Sequence, residues 1–329
     1  MQKTENKQNA QEPWGTQDTQ DTRAMRDVQD AIGQALAERV PGGVRQGELD
    51  RGGRALRWVE AGRGGPPVVL LAGCGTSSLT WAPVLPELAA HSRVVAYDRA
   101  GLGASDPDRV SGPSLESPTG DLAALVEHLG AGPAVLVGHS WGGQLAQLLA
   151  WRRPELVAGL VLVDPAHEEF QPPAIRAAEA VLLRVGLLRA ALTPAARRAG
   201  GTVARAEAAV EAHRHQRLTV LDENRLTALA VSELRQRRAA ARLPDVPVTV
   251  LSATDGLPGA MRARWTVLQS HVVASAAKGR TSSCAAPATT STPTTRRPSP
   301  PPSWRWSSTP GRAGTADGGA LNPWPDSAC

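Results

Sequence analysis

The segment Val137-Gly138-His139-Ser140-Trp141-Gly142-Gly143 sets a serine in a G-x-S-x-G pattern. It follows a short apolar run, Ala134 to Val137, and precedes a stretch from Gln144 to Trp151 that repeats leucine at 145, 148 and 149. Strand, tight turn and helix in that order form a strained turn that lifts a serine hydroxyl clear of the strand end. Gly138 and Gly142 are needed there because only glycine tolerates such close backbone approach. A helix N-terminus behind the serine favours developing negative charge. The chemistry is nucleophilic attack, and serine is a poor nucleophile at its free pKa. It needs a histidine base held in one tautomer by a carboxylate. Cys74 is a weaker candidate nucleophile, because a serine already occupies the turn and no base lies near Cys74 in sequence.

The elements that must position this serine are legible as short apolar runs rich in valine. Val68 to Leu71 stops at Gly73 and Gly75, Val94 to Tyr97 stops at Asp98, and Leu160 to Val163 stops at Asp164. Val246 to Leu251 is the last, and Ala55 to Glu60 is a further short strand between glycine-rich stretches. Uninterrupted runs of this kind are strands buried on both faces. Between them, Asp121 to Leu129 carries Leu122, Leu125, Val126 and Leu129 at helical spacing. Strands alternating with helices predict an α/β fold with a mostly parallel, doubly wound sheet. Residues 51–169 and 241–280 are expected to form this core. Residues 170–240, rich in Ala, Leu and Arg with no clear strand, are expected to form a helical cap over the sheet's carboxyl edge.

Composition bounds the rest. The 329 residues are 41% hydrophobic and 20% charged, with a net charge of +5, enough apolar content for a sizeable core. Three cysteines exclude a disulfide-stapled scaffold. No apolar run approaches the roughly 20 residues of a membrane helix, and the polar start carries no signal-like stretch, so a soluble cytoplasmic protein is expected. Basic residues are almost all arginine, the lysines being Lys3, Lys7 and Lys278, which points to GC-rich (bacterial) coding rather than to a nucleic-acid surface. No basic stripe with interleaved aromatics is present, so no nucleic-acid partner is expected. Residues 1–50 read as a polar, flexible leader with a weakly helical stretch around Asp27 to Val40. Residues 281–329 hold nine of the 27 prolines and one aliphatic core residue, Leu321. Such a stretch is expected to be disordered, and its composition is what a GC-rich gene read out of frame would give.

Three segments together resemble the α/β-hydrolase fold family of the esterase, lipase and haloperoxidase-like kind, over about residues 50 to 280. Besides the serine turn, Leu70-Leu71-Ala72-Gly73-Cys74-Gly75 is similar to the family's strand-then-His-Gly loop. Tyr97-Asp98-Arg99-Ala100-Gly101-Leu102-Gly103-Ala104-Ser105 is similar to its D-R-x-G-x-G-x-S turn. The resemblance implies Ser140 as nucleophile and the backbone amides of Cys74 and Trp141 as oxyanion donors. Ala72 departs from the histidine usual at its position. The orienting acid would be Asp164 or Asp255, each just past a later strand, with Asp164 favoured because it abuts its strand directly. The base should follow the acid on a loop after the final strand. The histidines are His91, His128, His139, His167, His213, His215 and His271, and none follows His271. His139 is expected to point away from the serine, and His271 falls too early, on the helix before the last strand. The last strand and its histidine loop are thus expected to be missing. The implied activity is hydrolysis of a small-molecule ester or similar acyl bond through an acyl-enzyme, with no metal or cofactor, impaired for want of the base. The alternative is an inactive hydrolase-fold protein with a binding or regulatory role. Epoxide or haloalkane chemistry is disfavoured, because it wants a carboxylate where Ser140 stands.

Overall fold

The computed structural model describes residues 14–109, 112, 114–170, 181, 201–254 and 258–284, and side chains within 23–281 of these. Eight strands form one sheet: β1 Arg45–Asp50, β2 Ala55–Ala61, β3 Val68–Leu71, β4 Val94–Tyr97, β5 Ala134–His139, β6 Val157–Val163, β7 Pro247–Ala253 and β8 Lys278–Cys284. Their spatial order is β1-β2-β4-β3-β5-β6-β7-β8. The pairings β1–β2 and β2–β4 are antiparallel, and every later one is parallel. The described helices are α1 Trp14–Ala37, α2 Leu85–His91, α3 Glu116–Leu129, α4 Trp141–Arg152, α5 Thr202–Ala212, α6 Arg214–Ala240 and α7 Gly259–Ala274.

The valine-rich runs are the central strands, and their two-residue alternation divides the core into two layers. Val69, Leu71, Val95, Tyr97, Leu136, Leu160 and Leu162 face one side, against Leu122 and Leu125 of α3 and Leu145, Leu148 and Leu149 of α4. Val68, Leu70, Val94, Ala96, Val135, Val137, Val161 and Val163 face the other, against α1 and α2. A sheet covered on both faces must be apolar on both, which is why these runs carry no polar residue.

At the N-terminal end the structure differs from the sequence expectation. Residues 23–50 are not a flexible leader. Met25, Val28, Ile32, Ala35 and Leu36 recur at steps of three and four, and on α1 they are buried against the second core layer. β1 then extends the sheet as a charged edge, Arg-Gln-Gly-Glu-Leu-Asp, paired along its whole length with β2. Charged side chains suit a sheet edge, because they discourage pairing with another chain. A carboxylate ties this hairpin to the core: buried Asp121 of α3 accepts from Arg51 Nε at 3.0 Å and Arg54 Nη2 at 2.7 Å.

At the other end the described sheet carries an eighth strand, β8. It pairs with β7 from Pro247↔Lys278 to Ala253↔Cys284, so the core reaches Cys284, beyond residue 280. Its sequence, Lys-Gly-Arg-Thr-Ser-Ser-Cys, has no apolar run to mark it. An edge strand needs backbone partners more than apolar side chains, and Lys278 to Thr281 are exposed. Residues 285–329 lie outside the described residues. Within residues 170–240, α5 and α6 are helices, while 171–180 and 182–200 lie outside the described residues. No described helix is long and apolar enough to cross a membrane.

If α1 belongs to the core, truncating it must cost stability. Ile32 is 1% exposed, so Ile32→Ala should lower the unfolding free energy by about 2–5 kcal/mol, read by urea denaturation. An unstructured leader would leave it unchanged.

Candidate active site

Ser140 sits between the end of β5 and the first residue of α4 with φ 49° and ψ −112°. Ser140 and Asp164 are the two described non-glycine residues with positive φ. Such backbone costs about 1–3 kcal/mol and persists only where its surroundings over-determine it. Here they do. The Ser140 amide donates to Val163 O at 3.0 Å, and its carbonyl accepts from Gly143 N at 3.0 Å and Gln144 N at 3.3 Å. A Cβ on Gly142 would lie 2.3 Å from the Leu71 carbonyl oxygen, and one on Gly138 2.5 Å from that of Gly142. The two glycines let α4 begin directly against the ends of β3 and β5, which turns the Ser140 side chain toward the sheet's carboxyl edge.

The loop after β3 faces this turn. Trp141 is the first residue of α4, so its amide has no intrahelical acceptor. Among the described residues, neither its amide nor that of Cys74 takes part in the loop and cap backbone hydrogen bonds. Where a histidine is usual, Ala72 offers its carbonyl instead: Arg99 donates from Nη1 to Ala72 O and from Nη2 to Gly73 O, both at 2.7 Å. Burial, with the nearby Glu223 carboxylate, pushes the Cys74 thiol up to about 12. A protonated thiol is a poor nucleophile.

Two chambers meet at the serine, and Cys74, Ser140 and Asp164 line both. The larger, about 540 Å³, is walled by Leu79, Trp81, Ala82, Val163, Val203 and Leu251, with Arg39 contributed from beyond α1. The smaller, about 280 Å³, is more polar and includes Gln144, His167, Asn224, Thr227 and Trp265. His139 does not point away from the site: it lines the larger chamber and packs over Gly73, where a Cβ would come within 2.9 Å of its Nδ1. Burial, reinforced by Arg99, holds its pKa below the usual histidine value.

Asp164 follows β6 directly, with φ 44°. Its Oδ1 accepts from Trp265 Nε1 at 2.9 Å and from Ala253 N at 3.3 Å, while its own amide donates to Leu251 O at 2.7 Å. Burial raises its pKa above the usual carboxylate value, against the pull of those two hydrogen bonds. Asp255 lies outside the described residues. His271 is exposed on α7 and lines neither chamber. His167 lines the smaller one, yet its Nδ1 accepts from Glu169 N at 3.1 Å. The neutral ring therefore carries its proton on Nε2, the wrong tautomer for taking a proton there. Burial also holds the His167 pKa below the usual value. Among the described residues no cluster of His, Cys, Asp or Glu could hold a metal ion.

The sequence offered no sign of Trp265, of His167 as a chamber residue, or of Glu223. Each reaches the site from an element distant in sequence, and none stands in a motif.

A mostly parallel sheet that carries a serine on a strand-to-helix turn at its carboxyl edge defines the hydrolase class of α/β proteins. The chain belongs to the alpha/beta hydrolase fold family, whose model matches residues 66–246. Among curated proteins, it is 37% identical over 136 residues to the dihydrolipoyllysine-residue acetyltransferase component of the acetoin cleaving system of Pseudomonas putida, covering 41% of this chain and 36% of that one. It is 34% identical over 136 residues to the soluble epoxide hydrolase of Corynebacterium sp., covering 41% and 45%. The matched stretches therefore span less than half of either relative. In fold it is similar to wild-type Cfl2 from Burkholderia cenocepacia (TM-score 0.56, 24% identity, 73% of this chain and 88% of that one). A hydrolase from Pseudomonas aeruginosa is similar too (TM-score 0.53, 23% identity, 73% and 90%).

The buried acid makes a pH-dependent prediction. Folding favours protonated Asp164, so its contribution is fully present below the ordinary carboxyl pKa of about 3.9 and is lost as pH rises through the higher folded value. Asp164→Asn keeps an acceptor for Trp265 and Ala253, and asparagine tolerates positive φ. The variant should gain stability relative to the parent between about pH 3 and pH 7. Urea unfolding at both pH values checks this, and a parent that gains on the variant as pH rises would contradict it.

Proposed function

We propose that the chain is a serine-nucleophile hydrolase of esters or similar acyl bonds of small molecules, with reduced turnover. The observation that carries this reading is Ser140, held at positive φ where both chambers meet and at the start of α4. The Ser140 oxygen attacks the acyl carbon, and the carbonyl oxygen takes up negative charge against the amides of Cys74 and Trp141. Each such donor contributes about 10²–10³ in turnover. The tetrahedral centre collapses, the alcohol leaves with a proton, and water then releases the acid and restores the serine hydroxyl. Asp164 is the orienting acid of this reading. Asp255 remains the alternative on sequence grounds.

The weak point is the base. The resemblance calls for a histidine after the last strand, and the sequence beyond β8 contains none. His271 is exposed and lines neither chamber, and His167 in the smaller chamber accepts at Nδ1 from the Glu169 amide. With oxyanion donors and binding alone, a serine site of this kind retains roughly 10³–10⁴-fold over water. Several relatives are named epoxide hydrolases, but a carboxylate nucleophile would have to occupy position 140, and serine stands there. The missing histidine favours a second reading, a hydrolase-fold protein that binds an acyl compound without turning it over.

Hydrolysis of p-nitrophenyl acetate by the purified chain and by Ser140→Ala separates the two. The hydrolase reading expects slow release of p-nitrophenol that falls to the buffer rate in the variant. Equal rates in two folded proteins would favour the binding reading.

A further inference from the structure

Among the buried polar groups, one pair joins the cap to the active site and takes no part in the chemistry above. Arg99, 3% exposed, and Glu223 of α6, 5% exposed, form an ion pair although 124 positions separate them. Arg99 Nη2 donates to Glu223 Oε2 at 2.8 Å, and Arg99 Nε donates to Oε1. The same Oε2 accepts from the Gly75 amide at 2.7 Å. With the bonds from Arg99 to Ala72 O and Gly73 O, the backbone on both sides of Cys74 ends on this one pair.

We propose that Glu223 is a positioning residue for the Cys74 oxyanion donor: through Arg99 and the Gly75 amide it sets the loop around Cys74, and does so only while α6 is seated on the core. The proposal rests on the hydrolase reading for its catalytic meaning, but the coupling it describes is a property of the fold.

Three observations favour a positioning role over mere attachment of the cap. First, α6 is anchored elsewhere by apolar contacts, with Ala230 and Leu234 fully buried in the first core layer. Secondly, a buried ion pair is weak evidence of stabilisation, because desolvating two charges offsets most of their attraction. A pair kept at such a place is better explained by what it holds. Thirdly, a whole face of α6 fits the two active-site loops. Gln216 Nε2 donates to Gly103 O at 2.8 Å. Thr219 covers Gly101, where a Cβ would fall 2.2 Å from its hydroxyl oxygen, and Val220 covers Gly75, where one would fall 2.8 Å from a methyl. Residues 216, 219, 220 and 223 follow the i, i+3, i+4, i+7 spacing of one helix face. Both glycines have positive φ, 76° and 70°, so loop and helix match in shape as well as in charge. Electrostatics agree: burial disfavours the Arg99 charge, yet Glu223 beside it raises the guanidinium pKa above its ordinary value.

Cys74 lies inside the held loop and reports on it without turnover. The test uses the full chain with Cys284→Ser and Cys329→Ser, so that Cys74 is the single thiol. The parent is compared with Glu223→Gln, which removes one charge, and with the double variant Arg99→Met and Glu223→Met, which removes both at similar volume. Circular dichroism confirms the fold. Losing hydrogen bonds to a charged group should speed amide exchange in residues 72–76 by about tenfold or more in the double variant. Exchange across Ala230 to Leu234 should stay at the parent rate. In Glu223→Gln, alkylation of Cys74 by iodoacetamide should quicken and its pH profile should move to lower pH, a shift that cap attachment alone does not produce. Parent-like exchange at 72–76 and parent-like alkylation in folded variants would overturn the proposal. If the variants do not fold, the parent in graded urea decides. Shared opening of 72–76 with 219–226 supports the coupling, and independent opening overturns it. None of these readouts needs ester turnover, so a Ser140→Ala variant that matches its parent would sink the hydrolase reading and leave this result standing.

Discussion

The contact on which the site depends leaves no room for a side chain: the first turn of α4 against the end of β3. Gly142 approaches the Leu71 carbonyl so closely that even a methyl group would collide with it. That approach fixes where α4 begins, and the helix start forces the backbone of Ser140 into positive φ. The order of strands follows the same need. β3 and β6 flank β5, so the ends of all three converge. The Ser140 amide is held by Val163 of β6, while Leu71 of β3 limits Gly142 from the other side. The strain at Ser140 is balanced by two layers of buried aliphatic side chains, which hold these strands in register.

Around that turn, burial decides what each polar group can do. Burial and Glu223 push the Cys74 thiol up to about 12, which makes its sulfur a poor nucleophile. Asp164 is pushed toward protonation, and only Trp265 and Ala253 favour its charge. His139 is held neutral beside Arg99. Arg99 keeps its charge in the interior because Glu223 is there to meet it. The site therefore draws on the cap as well as on the sheet. Helix α6 supplies the carboxylate of Glu223 to a cation that donates to two carbonyls of the loop after β3.

The central strands and the serine turn were legible in the sequence because their signals are local: apolar runs ended by glycine or aspartate, and a motif with strand before and helix after. α1 was legible as a weak helix but not as core. Gln, Asp and Arg crowd its exposed face and dilute the spacing of Met25, Val28, Ile32 and Leu36. β1 and β8 escaped notice because edge strands carry polar residues and are defined by the neighbour they pair with. Glu223 could not be found from Arg99, since nothing in a helix of mixed Arg, Glu and Leu marks one carboxylate as the buried one. The orientation of His139 depended on how closely it packs over Gly73, a distance no motif encodes.

The proposed role of Ser140 as nucleophile rests on this backbone geometry. The most direct measurement is to incubate the folded chain with a fluorophosphonate, digest it, and locate the adduct by peptide mass spectrometry. The expected result is a phosphonyl group on Ser140. An adduct on any other residue, or none on a folded chain after prolonged exposure, would contradict it.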